Sequence, residues 1–170
     1  MRYVFLYILN IVIVNYAFMF VPSYISPGGI VWTPVALLVG FIFVVRDYAQ
    51  REIGHKIILA MLVGGVISWY LATPAIAVAS ILAFLVGEFM DWGVYTFTKK
   101  PFSQRILLSS LLSTPVDSVV FLSLIDMLSL PTLLSMTISK MLGALAVFYI
   151  VRRREITAQN MAIENQKSIE

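Results

Sequence analysis

Six ionisable residues stand inside stretches that are otherwise apolar: Arg46 and Asp47, Glu88 and Asp91, Asp117, and Lys140. A charged side chain at the centre of a bilayer costs roughly 3 kcal/mol by insertion scales. Such groups need partners, and usually a purpose. Asp117 follows Arg105 by 12 residues and Lys140 precedes Arg152 by 12, which places both about 18 Å along a helix from the basic end. Glu88 and Asp91 precede Lys99 by 11 and 8 residues, or about 16 and 12 Å, and their i,i+3 spacing puts them on one helix face. Arg46, Asp47, Gln50 and Arg51 lie nearer the same end, with Asp47 and Arg51 spaced i,i+4 as an ion pair would be. Three separate segments therefore carry charge to one depth, and a fourth can close the group from underneath.

Polar side chains extend the set. Ser110, Ser113, Thr114 and Asp117 recur at intervals of three and four, Pro115 interrupts the backbone ladder beside Asp117, and Asn10 and Asn15 offer amides from the first apolar stretch. A structural role, in which pairs such as Asp117 with Lys140 hold helix register, accounts for any one residue alone. As a set, three carboxylates against one midplane cation leave negative charge that register does not require. Such a pocket suits a ligand rich in N–H donors, or a proton, and repels inorganic anions.

Catalysis finds little support. Asp91 and Asp117 are the pair that intramembrane aspartyl proteolysis would need, but FMDW and PVDS lack the flanking patterns of that chemistry. The single histidine, His55, falls in the polar loop IGHK and gives a protein-held zinc centre little to build on, while the lack of cysteine removes a redox disulfide and a thiol nucleophile. No GxGxxG, P-loop or HExxH occurs. The chain is read as a non-enzyme without metal or cofactor.

The elements that must position these groups follow from composition. In 170 residues, 60% are hydrophobic, 12% are charged, and mean hydropathy is +0.92, values that exclude an ordinary soluble domain. A span needs about 20 mostly apolar residues. Glycine, proline and charge divide the chain into six, near 3–21, 31–50, 56–72, 74–97, 105–128 and 131–151. The fold class is all-α, a compact bundle of six transmembrane helices. Ser-Pro-Gly-Gly at 26–29 and Leu-Pro-Thr at 130–132 read as tight turns, Gly54 ends the second helix, and Pro74 opens the fourth. Residues 152–170 mix charge with Gln, Asn and Ser and read as a mobile cytoplasmic tail.

Eleven of the twelve Lys and Arg cluster at alternate ends of these spans, and the connections around 22–30, 73 and 129–131 hold none. The positive-inside rule then puts both termini in the cytoplasm and explains the net charge of +3 without a nucleic acid partner. No removable signal peptide is expected. Trp32, Trp69 and Tyr70 at one side and Tyr3, Tyr7, Tyr95 and Tyr149 at the other fit interfacial belts. Small-residue stripes, Ala60–Gly64–Ser68 and Ala75–Ala79–Ala83–Gly87, point to close helix packing and leave room for a homodimer.

Three runs resemble the queuosine precursor transporter family, also called the vitamin uptake transporter family. They are TPVALLVGFIFVVRDYAQREIGHK from Thr33, ILAFLVGEFMDWGVYT from Ile81 and SSLLSTPVDSVVFL from Ser109. They occur in the family's order and centre on the residues that the charge pattern selects. The resemblance implies a six-span importer in the bacterial inner membrane for deazaguanine precursors of queuosine, chiefly 7-cyano-7-deazaguanine, with its 7-aminomethyl relative as the second candidate. Its motif residues here are Arg46, Asp47 and Gln50, Glu88 and Asp91, and Asp117 with Ser118. A guanine-like edge offers ring and exocyclic N–H donors that one carboxylate accepts together, which nominates Asp117 or Glu88. Lys140 or Arg46 would neutralise a remaining carboxylate or donate to the carbonyl oxygen, and Ser113 and Asn15 complete the expected substrate-binding set.

Two other classes compete. A substrate-binding subunit of an energy-coupling-factor vitamin transporter has a similar size, but the first span, YVFLYILNIVIVNYAFMF, lacks the small-residue face expected for docking a motor. A non-transporting membrane scaffold would bind no ligand saturably, and neutral substitutions at Asp117 and Glu88 would affect its folding alone.

Overall fold

The computed structural model describes residues 1–72 and 76–167. In chain order it comprises α1 (Arg2–Phe20), a hairpin of β1 (Tyr24–Ile25) and β2 (Val31–Trp32), α2 (Val35–Ile53), one 3-10 turn (Gly54–Lys56), α3 (Ile57–Leu71), α4 (Ala77–Phe97), α5 (Phe102–Leu124) and α6 (Leu130–Lys167). Among the described residues, five helical stretches are long and apolar enough to cross a membrane, with Val35–Leu71 counting as one. Apolar sequence in lipid can satisfy its backbone only internally, which helices do. The breaks fall where glycine, proline or a polar cap supplies another conformation. Gly29 turns the hairpin at φ 75°, with Ser26 N–H donating to Ile30 O at 2.9 Å, so the Ser-Pro-Gly-Gly turn is where the sequence puts it. Gly54 ends α2 at φ 61°, a left-handed conformation that a Cβ disfavours.

The chain reverses at Gly54. The start of α1 meets the end of α2: the Arg2 and Tyr3 amides each donate to the Glu52 carboxylate at 2.9 Å, and Tyr3 stacks on Tyr48 with ring centroids 5.0 Å apart. A carboxylate there satisfies amides that the first turn leaves free and complements the helix dipole. The far part of α1 meets the end of α3, where Asn15 Nδ2 donates to Ser68 Oγ at 3.1 Å. Helix α3 therefore returns alongside α1, antiparallel to α2.

Several boundaries differ from expectation. Leu130-Pro131-Thr132 is the first turn of α6, capped by Ser129, whose hydroxyl accepts from Thr132 N–H at 3.3 Å; the connecting turn lies earlier, with Asp126 at φ 55°. Proline suits a first helical turn because no hydrogen bond needs its missing N–H. Helix α6 does not stop at 151 but runs on to Lys167, through Arg, Glu, Ala, Gln and Met, all good helix formers. At 38 residues it is about 57 Å long, nearly twice the hydrocarbon thickness. Pro74 and Ala75 lie outside the described residues.

Packing is inverted relative to a soluble domain. Arg46, Asp47, Glu88 and Asp91 are fully buried, whereas Leu59 is 66% and Phe5 68% exposed, as lipid-facing positions should be. Tyr7 and Tyr95 are buried rather than set in an interfacial belt; Trp69, Tyr70 and Tyr149 are exposed. The described residues of the small-residue stripes face inward. Gly64 sits against Ile11 and Phe84, and a Cβ at Gly87 would lie 2.6 Å from Asp117 Cβ. At the crossing of α2 and α6, Gly40 meets the Lys140 carbonyl and Gly143 the Leu37 carbonyl, so close that neither position has space for a Cβ. Small residues let backbones touch in this way.

Candidate functional site

The six intramembrane charges divide into two centres. In the first, Arg46 of α2 is surrounded by carboxylates from two helices. Its Nη1 lies 3.1 Å from Asp47 Oδ1 and donates to Gln50 Oε1, its Nη2 pairs with Asp91, and its Nε lies 3.5 Å from Glu88 Oε2. Gln50 is held in turn by Thr96 Oγ1 at 2.8 Å, and Asp47 by Ser109 Oγ at 3.2 Å. A guanidinium suits this task because its planar fork aims five N–H groups in fixed directions. The guanidinium and all three carboxylates are shut off from the surface.

In the second centre Lys140 Nζ of α6 donates to Asp117 Oδ1 and Oδ2 of α5 at 2.9 and 2.8 Å, and to Ser118 Oγ at 3.0 Å. This pair borders a cavity. The cavity is partly open and holds about 100 Å³, less than the roughly 300 Å³ at the low end of small-molecule sites, so a heterocycle must move its walls apart to enter. Glu88, Asp117 and Lys140 form its polar floor, Asn15 and Ser68 a polar side, and Phe18, Phe43, Phe84 and Phe121 its aromatic walls. Asn15 is oriented by two bonds from Nδ2, to Ile11 O at 2.8 Å and to Ser68 Oγ at 3.1 Å. A smaller cavity shares Asn15, Phe18, Ser80 and Phe121 with the first and continues to Met19, Leu71 and Ile76. Together they reach toward the end of the bundle that carries the β-hairpin. The Arg46 centre lies at the opposite side of the floor.

Of the nine residues expected to bind substrate, Asn15, Glu88, Asp117 and Lys140 therefore border the cavity. Arg46, Asp47, Gln50 and Asp91 form the closed centre beneath it. Ser113 is buried on α5 one turn from both Ser109 and Asp117 but does not line the cavity, and its hydroxyl has no partner among the described residues. The single shared pocket implied by equal depth is thus two sites, and Glu88 is the residue that touches both. Asp47 does not pair with Arg51. Arg51 is exposed and lies over the Phe102 ring, 4.9 Å from its centroid, while Asp47 turns inward to Arg46 and Ser109. Arg46, counted among the basic ends of the spans, is instead buried. Asp91 and Asp117, the candidate protease pair, are held by different cations.

Phe43, Phe84 and Phe121 do not stand out in the sequence reading. A signal exists, since Phe43 precedes Arg46 by three residues, Phe84 precedes Glu88 by four, and Phe121 follows Asp117 by four, the spacings that share a helix face. Tyr7 also has a place that its sequence position does not reveal: it is fully buried and neighbours Glu88 from α1.

A family model described as "Putative vitamin uptake transporter" matches residues 29–152. That stretch runs from the hairpin turn to the expected end of the sixth span and includes all six intramembrane charges, from Arg46 to Lys140. No curated protein and no solved structure matches the chain.

Proposed function

The chain belongs to the vitamin uptake transporter family, and from that premise we propose that it imports a queuosine precursor, 7-cyano-7-deazaguanine, across the bacterial inner membrane. The observation that carries this reading is the Asp117–Lys140 pair set in the floor of an aromatic-walled cavity. A deazaguanine edge presents N–H donors beside a carbonyl acceptor. A carboxylate held next to an ammonium presents the complementary acceptors and donor. Phe43, Phe84 and Phe121 supply the apolar faces for a flat heterocycle. The 7-aminomethyl form adds a cation, for which Glu88 is the nearest carboxylate not held by Lys140.

In this proposal α2 and α3 cross separately, giving six spans. The reversal at Gly54 supports it, and so does the absence of Lys and Arg from residues 22–30. The basic ends and both termini then face the cytoplasm. The cavity faces outward and the Arg46 centre closes the inner side, an arrangement suited to alternating access about a midplane site.

The test is titration of purified protein with 7-cyano-7-deazaguanine by calorimetry, beside Asp117→Asn checked for folding by its melting temperature. Saturable binding by wild type, lost in the folded variant, is the expected result. A folded wild type that binds none overturns the substrate assignment.

A further inference from the structure

We propose that Glu88 is a proton-binding site whose occupancy couples the cavity to the Arg46 centre, so that a proton travels with each substrate molecule; this rests on the transport reading. Glu88 is fully buried, and neither carboxylate oxygen has a hydrogen-bond partner among the described residues. Arg46 Nε is 3.5 Å away and equally without a hydrogen bond, and the Tyr7 hydroxyl, likewise unpartnered, neighbours the carboxylate from α1. The other guanidinium nitrogens are already engaged by Asp47, Gln50 and Asp91. A buried carboxylate left so poorly solvated is stabilised by taking a proton.

The surroundings favour the same outcome. Tyr7 faces Glu88 from α1, Arg46 and Asp47 from α2, and Asp117 from α5, while Asp91 lies one turn along α4. Helix α3 contributes no Asp, Glu, Lys, Arg or His, and on α6 Lys140 is committed to Asp117 and Ser118. Four carboxylates thus share two cations, and Glu88 holds the weakest claim on either. Glu88 also borders the cavity, so a proton can reach it from that side.

A coupling step follows from this position. Protonated Glu88 no longer attracts Arg46, which loosens the closure beneath the cavity; re-pairing with Arg46 after the inner side opens expels the proton to the cytoplasm. The proton moves down its gradient in the direction of import, and no other reactant is consumed.

Infrared spectroscopy of the protein in lipid tests the site without any substrate. Wild type should show the C=O stretch of a buried protonated carboxyl that titrates away at high pH. Glu88→Gln should lack that band, and Asp91→Asn should keep it. In proteoliposomes an entrapped pH dye should report acidification of the lumen on 7-cyano-7-deazaguanine uptake, and an inside-alkaline gradient should speed wild-type uptake several-fold. Any residual uptake by Glu88→Gln should be indifferent to the gradient. A band that persists in Glu88→Gln, no band in wild type, or wild-type uptake without proton movement overturns the proposal. A Glu88-dependent band in a protein that binds no deazaguanine supports the proton site and refutes the substrate. Should Glu88→Gln not fold, the wild-type dye measurement alone decides.

Discussion

The two charged regions of the bundle treat their cations in opposite ways. Around Arg46, three carboxylates, a glutamine and two hydroxyls from α2, α4 and α5 close on one guanidinium and exclude space. Around Lys140, one carboxylate and one hydroxyl bind the ammonium, and the remaining side is a cavity with aromatic walls. Helices α2, α4 and α5 contribute to both regions, so the contrast does not come from hydropathy. It comes from the ratio of donors to acceptors and from how closely the backbones approach. A closed ionic cluster resists a ligand, whereas a pair that leaves a cavity beside it can exchange its partner for one.

Arg46→Ala should have the largest effect. It strands three buried carboxylates, and removing one partner of a buried charge pair costs about 3–5 kcal/mol. The expected outcome is a sharply lowered melting temperature in detergent or failure to accumulate in the membrane. Melting like wild type would show that the Arg46 centre does not hold the helices together.

Asp117→Asn should act on the other region. The amide still accepts from Lys140, whose bond to Ser118 persists, so the melting temperature should fall by less than in Arg46→Ala. Affinity for the deazaguanine should drop about 100-fold, near 2.7 kcal/mol, the scale of a lost charge-assisted hydrogen bond. Isothermal titration of both variants separates the regions: equal effects on binding and melting in each would erase the distinction.

Gly40→Ala acts at the helix contact that sets Lys140 in place. The added methyl meets the Lys140 carbonyl and the Ala144 amide, so α2 and α6 must separate. An overpacking loss of about 1–3 kcal/mol is expected, together with weaker binding, as read by paired melting and titration. Asn15→Ala should have the smallest effect. It removes the bonds to Ser68 and Ile11, worth about 1 kcal/mol, and should weaken binding roughly five-fold with little change in melting.

Much of the site can be read from the chain. Glu88, Asp117 and Lys140 stand out because an ionisable group inside an apolar stretch is costly unless it is paired or used, and all three border the cavity. The phenylalanine walls are hidden among many equivalent apolar residues, since composition alone does not tell an inward Phe84 from an outward Phe89, which is 40% exposed. The interfacial reading of Tyr7 and Tyr95 fails for a related reason: depth along a helix can be counted from sequence, but rotation about its axis cannot.

The sequence alone determined the helical character of the chain and the turns at Gly29 and Gly54, and it marked the ionisable groups set inside apolar segments. These depend on local hydropathy and on a rise of 1.5 Å per residue, both of which are properties of a single segment. Tertiary structure decided which charges pair. Asp47 could face Arg51 on its own helix or Arg46 and Ser109 across the core, and Glu88 and Asp91 share a face yet meet different demands. Those choices depend on how helices rotate and how near they come, which Gly40, Gly87 and Gly143 permit through contacts distant in sequence.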